Sequence, residues 1–93
     1  MKLLEIIAVR ASGDFEEQAR QYLIQFRHTF KGPALPEVNL YIDSTISGDF
    51  AVILSWQKQK RAGNKTDVGR CLAEALKRFG LVDHTCWITM EDK

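Results

Sequence analysis

Two short segments of this 93-residue chain are apolar at nearly every position, and they restrict the possible folds more than any other feature. Residues 3–9 contain only Leu, Ile, Ala and Val apart from Glu5, and residues 50–56 are apolar apart from Ser55. Strands with this pattern are typical of sheet interiors that are covered on both faces. The two segments are therefore predicted to be the central strands of one small sheet.

The remaining segments predict two helices and two further strands. Apolar residues recur at helical spacing over residues 15–30, behind a predicted capping box of Asp14 and Glu17. A second helical pattern covers residues 66–79, capped by Asn64 or Thr66. Period-two alternation predicts strands over residues 38–43 and 81–90, the first forming a hairpin with residues 50–56 through a Ser-Gly-Asp turn.

The order β-α-β-β-α-β in one domain spanning residues 1–93 predicts a fold of the α+β class. It is the ferredoxin-like arrangement, a four-stranded antiparallel sheet with both helices on one face. Both alternating sets of the central strands are apolar, so the face without helices would expose a patch too large for a soluble monomer. We therefore expect a homodimer formed through that sheet face with two-fold symmetry.

Composition excludes several classes of function. Thirteen Lys and Arg oppose twelve Asp and Glu, so the net charge of +1 does not indicate a general nucleic-acid binder or a membrane-surface protein. No apolar run is long enough to span a bilayer. Two Cys and two His are scattered without metal-ligand spacing, so we predict no metal site and, without a secretion signal, reduced thiols in a cytoplasmic protein.

The chain resembles the dimeric α/β-barrel superfamily, close to the antibiotic-biosynthesis-monooxygenase and stress-responsive barrel domains. The resemblance lies in the element order, in the predicted hairpin of residues 38–41 and 50–56, and in the helix followed directly by Leu-Val-Asp-His at residues 81–84. It implies a dimeric barrel with a pocket between each sheet and its own helices. Some similar proteins oxidise polycyclic or quinol-like compounds without a metal or flavin, some degrade haem, and many have no known activity.

The resemblance implies four candidate site residues. His84 is the candidate base, because an imidazole titrates near neutral pH, while Asn39, Tyr41 and Trp56 are candidate ligand contacts. The residues also permit other roles: a hydrogen-bonded core or interface histidine, a packed Trp56, and surface exposure of Asn39 and Tyr41. The resemblance disfavours haem degradation, because similar haem-degrading proteins use an Asn on the first strand and a His on the second helix, and this chain has neither.

Two functions therefore stay open. The first is a small-molecule-binding protein or cofactor-independent monooxygenase that acts on an aromatic, quinol-like compound. The alternative is a non-catalytic homodimeric domain for ligand binding or assembly. Nucleic-acid binding would depend on the basic run Lys58, Lys60, Arg61 and Lys65, and the first strand lacks the aromatic platform of an RNA-recognition motif. Both cysteines, Cys71 and Cys86, are predicted to be inert packing residues.

Overall fold

The computed structural model describes residues 2–57 and 65–90. Its elements follow the predicted β-α-β-β-α-β order. They are β1 (Leu3–Ala11), α1 (Glu16–Thr29), β2 (Glu37–Ile42), β3 (Asp49–Trp56), α2 (Asp67–Leu76) and β4 (Gly80–Ile88), with a 3-10 turn over Gly13–Phe15 between β1 and α1.

The four strands form one antiparallel sheet in the order β2-β3-β1-β4. The apolar strands β1 and β3 are therefore central, as their composition predicts. In the register, Glu5 of β1 pairs with Leu54 of β3 and with Cys86 of β4. The α+β, ferredoxin-like fold is confirmed.

The two faces of the sheet differ in cover, and we call them the helix face and the open face. On the helix face, α1 and α2 pack over alternate residues of the central strands, and these residues are almost completely buried: Leu3, Ile7, Val9, Phe50, Val52 and Leu54. On the open face, the intervening apolar residues Leu4, Ile6, Ala8, Ala51 and Ile53 are only half-buried. Each central strand thus carries two apolar sets, and within one chain only one of them is covered by helices.

The start of α1 differs from the predicted capping box. Asp14 lies within the 3-10 turn, the N-cap of α1 is Phe15, and no side chain caps that helix terminus. The turn is closed instead by backbone bonds, with the Phe15 N–H donating to the Ser12 carbonyl at 2.8 Å. A backbone hydrogen bond therefore precedes α1 where a side-chain cap from Asp14 was predicted.

The second helix begins as predicted but ends earlier. Thr66 is its N-cap, and its hydroxyl accepts from the Gly69 N–H at 3.0 Å. The helix ends at Leu76, and Phe79 belongs to the turn that leads into β4. Cys71 is exposed on this helix, so the prediction that it packs inside was wrong, whereas Cys86 is half-buried on β4. Both thiols are free.

Candidate functional site

Glu5 carries the one buried charged side chain among the described residues, and it is completely shielded from solvent. Four donors surround its carboxylate. Oε1 accepts from the Trp56 indole Nε1 at 2.9 Å and from the Thr66 hydroxyl at 2.6 Å. Oε2 accepts from the Thr66 backbone N–H at 3.0 Å and lies 2.9 Å from His84 Nε2. The burial of this charge is therefore compensated by hydrogen bonds from three other parts of the chain.

The strand register explains why these side chains meet. Trp56 pairs with Leu3 and His84 pairs with Ile7, so each lies diagonally from Glu5 on the helix face. Diagonal neighbours on one face of a sheet are within reach of aromatic and long side chains. Glu5 thus lies between Trp56 on one neighbouring strand and His84 on the other.

The first turn of α2 closes over the carboxylate. A Cβ atom at Gly69 would lie 2.2 Å from Glu5 Oε2, so only glycine lets the helix approach this closely. The Thr66 hydroxyl donates to Glu5 while it accepts from the Gly69 N–H. Because a helix N-terminus carries partial positive charge, the anionic carboxylate is favourable at this place. We call Glu5, Trp56, Thr66, Gly69 and His84 the Glu5 cluster.

The hydrogen bonds keep Glu5 ionised in spite of its burial. Burial alone would raise the pKa of the carboxyl, but the Thr66 hydroxyl and N–H, the His84 ring and the Trp56 indole outweigh it. The net result is a pKa below the ordinary value of 4.5. The cluster therefore holds a carboxylate anion at neutral pH.

His84 is oriented by this carboxylate. An ionised carboxylate can only accept, so His84 Nε2 carries the proton that it donates, and in the neutral imidazole the lone pair is on Nδ1. This carboxylate–imidazole arrangement is the one that orients a general base. The side chain of His84 is only 8% exposed, however, so it is almost completely buried.

Cys86 is the second titratable neighbour of Glu5 on β4. Burial first, and then the negative charge of Glu5, raise the pKa of the Cys86 thiol. A raised pKa keeps the sulfur protonated and makes it a poor nucleophile. This agrees with the prediction that Cys86 is a packing residue.

Trp56 connects the Glu5 cluster to an open cleft of about 1120 Å³. The cleft lies between the end of α1, the loop that follows it, and the adjoining ends of β2 and β3; we call it the Trp56 cleft. Its lining combines apolar and aromatic groups with two cations, one carboxylate and an imidazole: Phe30, Pro33, Leu35, Pro36, Val38 and Trp56 with Arg27, Lys31, Glu37 and His28. His84 is not among the lining residues. Such a cleft is suited to an aromatic molecule that carries negative charge.

The structure separates the four predicted site residues into two pairs. Trp56 and His84 meet on the helix face through Glu5. Asn39 and Tyr41 lie on the open face, opposite Ile53 and Ala51 of β3, and Tyr41 is 53% exposed. The two pairs therefore cannot line one pocket within a single chain.

Glu5, Thr66 and Gly69 were missed as site residues from the sequence. The signal for Glu5 was present, because a lone carboxylate within a strand buried on both faces requires a partner. Gly69 gave a weaker signal, as a glycine inside an apolar helical pattern. The basic run at Lys58, Lys60 and Arg61 lies outside the described residues, and Lys65 at its end is exposed.

Two further properties bear on the kind of site. Over residues 2–57 and 65–90, no three His, Cys, Asp or Glu side chains are grouped as metal ligands would be. In the same part of the chain, neither helix has the length and apolar character needed to cross a bilayer.

Comparison with solved structures identifies proteins of the same fold. A candidate antibiotic biosynthesis monooxygenase from Deinococcus radiodurans superposes with a TM-score of 0.71 at 15% identity, over 98% of this chain and 95% of that chain. A variant of SnoaB, a cofactor-independent oxygenase from Streptomyces nogalater, gives 0.61 at 13% identity over 98% and 95%. The protein Rv0793 from Mycobacterium tuberculosis gives 0.73 at 10% identity over 99% and 98%.

These similarities concern the fold, since all three identities are low. No family model matches the sequence, and no curated protein matches it. The chain therefore has the same fold as proteins described as antibiotic biosynthesis monooxygenases, and this is the fold that the resemblance implied.

Proposed function

We propose that this chain, which has the fold of antibiotic biosynthesis monooxygenase-like proteins, binds a small aromatic, quinol-like compound in the Trp56 cleft. The observation that carries the proposal is the composition of that cleft. The Trp56 ring and its apolar neighbours offer a surface for stacking, while Arg27 and Lys31 offer positive charge to a phenolate oxygen.

Two forms of this function differ in what His84 does. In the first, the protein is a cofactor-independent monooxygenase, and His84 is the base that removes the phenolic proton so that the electron-rich phenolate can react with oxygen. The carboxylate–imidazole pair with Glu5 supports this form. In the second, the protein binds its ligand without turnover, which is supported by the burial of His84 away from the cleft lining.

Binding is tested by fluorescence. The chain has two tryptophans, so Trp87→Phe leaves Trp56 as the single reporter. We expect 1-naphthol, a stable phenol, to quench Trp56 in a saturable manner, and we expect Arg27→Gln to weaken that binding. Exposed Arg70 on α2 offers the matched control, since Arg70→Gln removes a similar charge outside the cleft lining. Linear, non-saturable quenching would contradict a ligand site at Trp56.

Catalysis is tested by oxygen uptake with a panel of hydroquinones. His84→Gln keeps an N–H donor for Glu5 but removes the base, so we expect kcat to fall about 100-fold or more while KM is retained. Unchanged kcat would exclude His84 as the base. Saturable naphthol binding without any oxygen uptake by the parent would favour the non-catalytic form.

We also propose that the protein is a homodimer joined through the open face. The half-buried apolar residues of β1 and β3, flanked by exposed Leu81 and Trp87, support this partner. In such a dimer Asn39 and Tyr41 would lie between the two sheets, where they are proposed as additional ligand contacts. The two free thiols support work in a reducing compartment such as the cytoplasm.

Sedimentation tests the dimer directly. We expect twice the chain mass for the parent and a monomer for Ile6→Asp, which puts a charge at the centre of the open face. Ile24→Asp, on the exposed surface of α1, is the control and should stay dimeric. A parent that sediments as a monomer at every concentration would contradict the proposal.

A further inference from the structure

We infer that Glu5 is a positioning residue of the Trp56 cleft: its buried carboxylate holds the Trp56 indole in the cleft wall and ties it to the first turn of α2 and to His84. The inference rests on the proposed ligand site, whose geometry Glu5 would set from a buried position. Glu5 itself is completely buried and is not among the residues that line the cleft.

Trp56 depends on this one acceptor. An indole has a single N–H and no acceptor, and here that N–H donates to Glu5 Oε1 at 2.9 Å. The same ring lines the cleft. If the acceptor were lost, the partly buried indole N–H would be left without a hydrogen bond. Turning the ring toward water would then lower the free energy, because water can accept from the N–H. The orientation of the cleft wall is therefore set from beneath by the carboxylate.

The carboxylate also couples Trp56 to α2. Oε1 is shared between the indole and the Thr66 hydroxyl, and Thr66 is the N-cap of the helix. Gly69 also brings the backbone of the first turn of α2 against the same carboxylate. A change in the protonation of Glu5 is thereby transmitted to the cleft wall and to the helix together.

Protonation of Glu5 disturbs the hydrogen bonds that surround it. Trp56 Nε1 and the Thr66 N–H can only donate. A proton on Glu5 takes one of the acceptor positions that the four donors use, so either one of these bonds is lost or the Thr66 hydroxyl or the His84 ring changes from donor to acceptor. A proton on His84 instead keeps all four bonds, because the protonated ring still donates through Nε2.

The other ionisable groups around the carboxylate are few. Cys86 on β4 faces Glu5 and stays protonated, while Lys65 and Arg70 near the start of α2 act on Cys86 through their charges. His28 and Glu37 also line the cleft, but the carboxyl of Glu5 is the ionisable group that accepts from the Trp56 indole, so its titration is the one expected to alter the orientation of Trp56. That titration is expected below pH 4.5, since the hydrogen bonds favour the anion.

The first experiment follows Trp56 alone, in the Trp87→Phe protein, from about pH 7 to about pH 3. We expect the emission and the acrylamide quenching of Trp56 to change with a midpoint below pH 4.5 while the far-ultraviolet circular dichroism is still native. Glu5→Gln should show the altered emission already at neutral pH. A Trp56 signal that changes only together with loss of circular dichroism, or a Glu5→Gln protein with parental emission and quenching, would overturn the inference.

A second pair of variants keeps the test independent of whether Glu5→Gln folds. Thr66→Val removes one hydrogen bond that favours the Glu5 anion, so the acid transition of Trp56 should move to higher pH. Thr45→Val is the matched control, because it removes a hydroxyl that donates to Asp43 instead. A transition that stays in place in Thr66→Val, or that moves equally in Thr45→Val, would overturn the inference.

Ligand binding separates this inference from the proposed function. We expect Glu5→Gln to lose about tenfold or more of its affinity for 1-naphthol at neutral pH, because hydrogen bonds to a buried charge are among the stronger ones. Parental affinity in a folded Glu5→Gln protein would overturn the inference. If 1-naphthol does not bind the parent, the proposed function is wrong, and the pH response of Trp56 still decides whether Glu5 positions the ring.

Discussion

Two carboxylates of this protein, Glu5 and Asp43, both have a pKa that hydrogen bonds lower, but they are held in opposite ways. The donors to Asp43 come from its own turn: the N–H groups of Thr45 and Ile46 at 2.8 Å, and the Thr45 hydroxyl at 3.0 Å. These donors are two or three residues away in sequence. The side-chain partners of Glu5 are 51, 61 and 79 residues away.

A lowered carboxyl pKa can therefore arise from donors in one turn, as at Asp43, or from donors in distant parts of the chain, as at Glu5. Asp43 is exposed, so its turn can open while the sheet stays folded. Glu5 is buried, and its bonds join β1, β3, α2 and β4. We therefore expect changes at Glu5 to affect the whole domain and changes at Asp43 to affect only the turn between β2 and β3.

The largest expected effect is the difference in stability between the Glu5→Ala and Asp43→Ala variants. Glu5→Ala leaves the donors of Trp56, Thr66 and His84 buried without their acceptor, so the free energy of unfolding should fall by about 3–5 kcal/mol. Asp43→Ala, the exposed counterpart, should leave the urea midpoint nearly unchanged, because water replaces the lost acceptor. Equal losses in the two variants, measured by urea denaturation, would contradict the proposed difference.

The same comparison explains what the sequence allowed us to predict. The double apolar pattern of residues 3–9 and 50–56 was sufficient to predict the central strands, and Thr66 was one of the two predicted caps of α2, because these signals are local. The Glu5 cluster depends on four elements, β1, β3, α2 and β4, that meet only in the folded domain. From the sequence, Glu5 could be recognised as anomalous, but its partners could not be identified.

Asn39 and Tyr41 show a second limit. Alternation correctly assigned both residues to one side of β2. It could not show whether that side is the helix face or the open face, because alternation divides a strand into two sets of residues without showing which set the helices cover. Their separation from Trp56 and His84 is therefore a result of tertiary structure.

The next largest effect is expected at Gly69. In Gly69→Ala the new methyl group would overlap Glu5 Oε2, so we expect a loss of about 1–3 kcal/mol in the free energy of unfolding. Gly13→Ala is the matched control, because a Cβ there meets nothing within 4 Å. In a Glu5→Ala background the obstacle is gone, and Gly69→Ala should become neutral or stabilising, since Ala favours helices over Gly. Additive losses in this double-mutant cycle would contradict the contact.

The smallest effect is the dependence of stability on pH. A carboxyl whose pKa is lower in the folded than in the unfolded chain stabilises the fold above its unfolded value, and this stabilisation is lost as the pH falls through the folded value. The loss should begin near pH 4.5 for Glu5 and near pH 3.8 for Asp43. Urea denaturation should show that the decrease in the free energy of unfolding that begins near pH 4.5 is absent from Glu5→Gln and retained in Asp43→Asn. Because only the Glu5 titration should also change Trp56 emission, a stability loss in the parent without that optical change would assign the first step to another group.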